Sequence, residues 1–121
     1  MDLGLRGKVA VVSGSSDGIG YAVAHSLAQE GARIVLCARR EALLAEAQKT
    51  IEKETGAEVL AISCDVQRFD EVPRLVAEVM QRFGVIHILV NNAGSVPRIP
   101  FANIDGGQWY QMLEGKLHGY F

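Results

Sequence analysis

Four strand-length apolar runs, each followed by a stretch with helical spacing, leave this chain few ways to fold. Residues 8–13 (KVAVVS), 33–38 (RIVLCA), 58–63 (EVLAIS) and 87–90 (HILV) are apolar almost throughout rather than alternating. Strands of that kind are covered on both faces. Between the first two runs, Ile19, Val23, Ser26 and Leu27 recur at helical spacing, and Gly31 is placed to end that helix. Residues 41–54 form a second helix with Leu44, Ala47 and Ile51 on one face, closed by Gly56. Val72, Leu75, Val76, Val79, Met80 and Phe83 form a third amphipathic stripe, with Pro73 tolerated in its first turn. A last helix begins near Gln108. The order β-α-β-α-β-α-β-α predicts an α/β fold with a parallel sheet and helices on both faces. Right-handed crossovers make this the first half of a doubly wound sheet.

At 121 residues the chain is expected to form a single domain. A formal charge of −2 offers no basic field for a nucleic acid. Every apolar run is far short of a membrane span, and the first residues lack the pattern of a signal peptide. Cys37 and Cys64 form no CxxC and no metal-ligand spacing, which points to reduced cytoplasmic thiols and to no metal site.

The chemistry is carried by residues 13–20, SGSSDGIG, between the first strand and the first helix. Gly14 permits a tight turn off the strand. Gly18 and Gly20 let the backbone approach both a pyrophosphate and the sheet, and the helix N-terminus offers free N–H groups to the anion. Ser15, Ser16, Asp17 and Ile19 complete the turn, and Asp17 also suits a helix cap. The spacing is GxxxGxG rather than GxGxxG, so its meaning depends on its place between strand and helix.

In this order of elements the turn resembles that of the short-chain dehydrogenases/reductases. Further marks follow: Asp65 and Val66 after the third strand, Asn91-Asn92-Ala93-Gly94 after the fourth, and Trp109, Leu117 and Gly119 in the last helix. The resemblance implies a Rossmann-like NAD(P)-binding domain spanning residues 1–121. It implies an adenine contact for Asp65 and Val66. It implies that Asn91 and Asn92 tie strands together at the switch point, while Ala93 and Gly94 pass close to the cofactor ribose. An acid after the second strand binds the ribose 2′-hydroxyl of NAD, and an arginine there accommodates the 2′-phosphate of NADP. Here the strand ends Ala38-Arg39-Arg40, with Arg39 at the expected interval from the turn and Arg40 a second candidate. NADP(H) is therefore favoured, with NAD(H) as the alternative. Asp17 cuts the other way, since many NADP-preferring relatives carry a base at that position.

The family's YxxxK pair is not in this chain: Tyr21 is followed four residues on by His25, and Tyr110 by Glu114. The fourth strand would also be left with an apolar free edge. The expectation is thus an incomplete domain, the cofactor-holding part of an oxidoreductase that moves a hydride between nicotinamide and a small-molecule carbonyl or secondary alcohol. A non-catalytic NAD(P)-binding or redox-sensing module is the alternative. Lys116 shares the inward stripe of the last helix with Trp109, Leu113 and Leu117. It stands where relatives mostly carry an asparagine, which marks it as a candidate catalytic residue of a divergent subgroup. The family's late helices further imply a homodimer or homotetramer.

Overall fold

The computed structural model describes the backbone of residues 2–93 and 101–120, and the side chains of these except at 101, 112 and 115–120. The elements run β1 (Val9–Ser13), α1 (Gly18–Gln29), β2 (Arg33–Ala38), α2 (Glu41–Thr55), β3 (Val59–Ser63), α3 (Val72–Phe83), β4 (Ile88–Val90), a short 3-10 turn (Phe101–Asn103) and α4 (Gly106–Tyr120). The strands form one sheet in the order β3-β2-β1-β4, parallel throughout. Val11 lies opposite Val35 of β2 on one side and Leu89 of β4 on the other. This is the first half of the doubly wound order, as the alternation of elements predicts. The chain steps outward from β1 to β3, then crosses back to lay β4 on the far side of β1. That reversal opens a crevice at the carboxyl ends of the strands.

Successive strand residues point to opposite faces, which divides the core in two. Ala10, Val12, Ile34, Leu36 and Val59 pack under α1 and α2, against Ala24, Ala28, Leu44, Ala47 and Ile51. Val9, Val11, Val35, Cys37, Ile62 and Cys64 face the other way, against Leu75 and Val79 of α3. Residues 34–37 of β2 are buried on both faces, which is why that run is continuously apolar. Gly56 ends α2 in the left-handed region, where its lack of a Cβ removes the strain.

Two helices differ from the spacing argument. The buried face of α1 is Gly20, Ala24 and Ala28, and Ile19 is 75% exposed. Small residues allow this helix to sit close on the sheet, so the larger apolar side chains fall to its flanks. In α3, Leu75 and Val79 are buried, while Val76 and Met80 are exposed. The expected stripe is therefore wider than the surface it covers. His87, just before β4, joins β4 to β1 from both its backbone and its ring: its N–H donates to Val9 O, and its Nδ1 accepts the Val9 N–H, each at 2.9 Å.

Burial pushes the Cys37 thiol from its ordinary 9.0 up to about 12, with Cys64 nearby adding to the rise. Between those values the folded chain keeps a proton that the unfolded chain has lost, so stability falls as pH rises across the window. Urea unfolding should show this loss, and a Cys37→Ala variant should lose less; equal slopes would contradict the assignment. In the same assay Ile34→Ala should cost about 2–5 kcal/mol, since Ile34 is fully buried in a central strand.

Candidate functional site

The carboxyl ends of all four strands border one cleft of about 550 Å³, a size ordinary for small-molecule sites. The β1–α1 turn supplies Gly14, Ser16, Asp17, Gly18 and Ile19, and the end of β2 supplies Cys37, Ala38, Arg39 and Arg40. Beyond β3 come Cys64, Asp65, Val66 and Gln67, and beyond β4 come Asn92 and Ala93. The structure thus brings together most of the residues singled out in the sequence.

The turn is fixed from beneath. Gly14 has a φ of +64°, and a Cβ there would lie 2.9 Å from Ala93 Cα. A Cβ on Gly20 would lie 2.3 Å from Gly14 O and 2.5 Å from Asn92 Nδ2. Asn92 Nδ2 itself donates to Gly14 O at 3.2 Å. Glycine at these two positions is a packing requirement. Gly18 differs: its φ is +62°, but a Cβ would meet nothing within 4 Å. Its demand is conformational alone.

Ser15 is fully buried, with its Oγ donating to Val12 O at 2.7 Å and accepting from Cys37 N at 3.0 Å. Its side chain works inward, binding the turn to β2. Ser13 does the same toward β4. Its Oγ donates to Val90 O at 3.2 Å and accepts from Asn92 N and Ala93 N at 3.0 and 3.1 Å. Sequence reasoning passed over Ser13. The available signal was a hydroxyl on the last residue of β1, directly before Gly14.

Asp17 is the N-cap residue of α1, yet its side chain makes no capping hydrogen bond. Its Oδ2 instead accepts from Nη2 of Arg40 at 3.2 Å. The capping role expected for Asp17 is therefore not the one it plays. Bonding along the helix begins with Tyr21 N to Asp17 O, so the N–H groups of Gly18, Ile19 and Gly20 precede the ladder. Arg39 is exposed and forms no ion pair among the described residues. Asp65 Oδ1 accepts the Gln67 N–H at 3.0 Å, a local turn that shapes the loop after β3.

The Asn91-Asn92 pair divides. Asn92 borders the cleft, whereas Asn91 borders a separate apolar groove of about 320 Å³ with Leu75, Val76, Val79 and Leu89. Gly94 lies outside the described residues, and Lys116 is on α4 with its side chain outside them. Among the described residues no group of His, Cys, Asp and Glu could hold a metal ion, and no helix is long and apolar enough to cross a membrane.

Comparison with known proteins gives a consistent picture. A family model described as short chain dehydrogenase matches residues 8–121. An uncharacterized oxidoreductase of Staphylococcus saprophyticus is 39% identical over 115 residues, covering 95% of this chain and 49% of that protein. Among solved structures, L-sorbose reductase from Gluconobacter frateurii, complexed with NADPH and L-sorbose, superposes with a TM-score of 0.91 at 39% identity. The match covers 99% of this chain and 46% of that one. An alcohol dehydrogenase from Thermococcus sibiricus, complexed with 5-hydroxy-NADP, gives a TM-score of 0.86 at 33% identity over 93% of this chain and 48% of its own. The chain spans just under half the length of these relatives. With a family match over residues 8–121 and a superposition covering nearly its whole length, the chain belongs to the short chain dehydrogenase family.

Proposed function

We propose that this chain is the cofactor-holding part of an NADP(H)-dependent oxidoreductase that acts on a carbonyl or secondary alcohol. The observation that carries the reading is Arg39: an exposed guanidinium without an ion pair among the described residues, on the rim of a cleft whose other border is a glycine turn at a helix N-terminus. A cation there suits a 2′-phosphate, and an acid would suit a bare ribose. Two similar structures hold NADPH or 5-hydroxy-NADP, which supports the same choice. The relatives named above are an uncharacterized oxidoreductase, a reductase and a dehydrogenase, so the non-catalytic alternative gains no support.

The residues present fit a dinucleotide. The amides of Gly18 and Ile19 precede the α1 ladder and are free of a side-chain cap, an arrangement that favours a pyrophosphate. Open space above Gly18 leaves the backbone approachable. Asp65 and Val66 border the end of the cleft assigned to adenine, and Ile19 offers an apolar surface on its wall. When bound, the nicotinamide supplies the hydride. The chain's part is to hold and orient it, with Asn92 and Ala93 anchored through Ser13. In the assembled enzyme Lys116 is proposed to line the catalytic cleft. Two cysteines without CxxC spacing suit a reducing compartment, so the proposal includes a cytoplasmic protein. Exposed Val76 and Met80 on α3 suit contacts between copies in a homodimer or homotetramer, and so do Trp109 and Leu113 on α4, which the spacing argument placed inward and which are exposed in the structure.

Calorimetric titration of the full-length protein should give tighter binding of NADPH than of NADH. Arg39→Ala should weaken NADPH roughly tenfold or more and leave NADH within about twofold. Tighter NADH binding by the unaltered protein would sink the reading. Gly20→Ala should abolish binding of both cofactors and lower Tm, because its Cβ would strike Gly14 O and Asn92 Nδ2. Gly18→Ala should fold with a loss of only about 1–2 kcal/mol. If the two glycine variants behave alike, the packing argument fails.

A further inference from the structure

Arg74 is badly placed for the helix that carries it. It stands in the first turn of α3, where the positive end of the helix dipole disfavours a cation. Its ion pairs with Glu71 and Glu78, at 3.5 and 3.1 Å, join partly exposed side chains. Pairs of that kind add little to stability. Its remaining contact is of another sort. Nη2 donates at 2.7 Å to the carbonyl oxygen of Ser63, the last residue of β3.

That carbonyl marks where the chain leaves the sheet. Cys64 N still bonds to Ala38 O at 2.9 Å, and the next three residues, Asp65, Val66 and Gln67, border the cleft. Two bonds fold this loop onto itself: Gln67 N to Asp65 Oδ1 and Arg68 N to Asp65 O, each at 3.0 Å. They set its shape but not its direction. Direction comes from α3. Glu71 is the N-cap residue of that helix, yet its side chain makes no capping hydrogen bond. Its Oε1 instead accepts from Asp65 N at 3.5 Å, and its carboxylate is held by Arg74 and, at 3.6 Å, by Arg68.

We infer that Arg74 is a positioning residue of the cleft, acting through Asp65. Its guanidinium bridges the end of β3 and the Glu71 carboxylate. It thereby fixes where the loop starts and holds the group that receives the Asp65 N–H. Arg74 itself does not border the cleft. The inference rests on the reading of the cleft as a dinucleotide site with adenine at Asp65. Hydrogen bonds to an adenine edge weaken steeply when the acceptor moves out of line. Loss of Arg74 therefore weakens the hold on adenine and leaves the glycine turn, tied down by Ser13 and Ser15, as it is.

The test is calorimetric titration of NADPH into the full-length protein and its R74A, R74K, D65A and D65A/R74A variants. R74A should weaken NADPH roughly three- to tenfold with thermal unfolding little changed. R74K should recover part of that loss, since an ammonium can still donate to Ser63 O. In the D65A background R74A should cost less than about twofold, because the residue through which it acts is gone. A merely structural arginine would cost the same factor in both backgrounds, and that result overturns the inference. Unchanged affinity in R74A overturns it too, as does a folding defect that accounts for the loss. The D65A arm keeps the two readings apart. If D65A binds NADPH as tightly as the unaltered protein, the adenine end of the cleft is misplaced and the inference falls with it. If D65A loses NADPH while R74A does not, only the role of Arg74 falls.

Discussion

Two buried hydroxyls fasten the glycine turn to the strands on either side of β1, and the rest of the site hangs from them. Ser15 bonds back to Val12 and across to Cys37 on β2. Ser13 gathers Val90, Asn92 and Ala93 from the end of β4. Each hydroxyl donates once and accepts at least once, so neither leaves an unpaired polar atom in the interior. With them Gly14 is held close enough to Gly20 and Asn92 that neither glycine tolerates a side chain. Precision at the cleft thus comes from polar contacts under the turn, while the apolar layers on the two faces of the sheet supply the stability.

The charges on the rim follow a different logic. They are exposed, weakly coupled to the fold and placed by the ends of elements: Asp17 before α1, Arg39 after β2, Arg40 before α2. A site built this way separates two tasks. On the proposed reading, backbone amides and glycines decide that a phosphate-bearing ligand can sit there at all. On the same reading a few solvent-facing side chains decide which one, and their exposure lets them vary with little effect on folding.

Much of this was legible in the sequence because the signals were local. Continuous apolar runs gave parallel strands, and Leu44, Ala47 and Ile51 gave the buried face of α2 correctly. The glycine spacing gave the turn. Features that depend on contacts between distant residues were not legible. The inward face of α1 is Gly20, Ala24 and Ala28, residues too small to register as a hydrophobic stripe. Asp17 pairs with a residue 23 positions away, which nothing in the turn announces. Asn91 and Asn92 read as one motif, yet neighbours at the end of a strand point to opposite faces, so only one reaches the cleft. Nothing near His87 in the sequence points to its partner, Val9, which lies 78 residues earlier in the chain.

That long separation has an energetic consequence. The contacts that lock the turn join Ser13 to Asn92 and Ala93, across 79 and 80 residues of chain. The pairing of β1 with β2 needs only the short α1 crossover. Closing the longer segment costs more chain entropy, so the contacts of β4 with β1 are the costlier ones to form. The shape of the turn therefore depends on contacts of high sequence separation. A nucleotide that recognises only the locked turn then draws the equilibrium toward the state with β4 docked. In this sense a bound ligand and a docked β4 would stabilise one another.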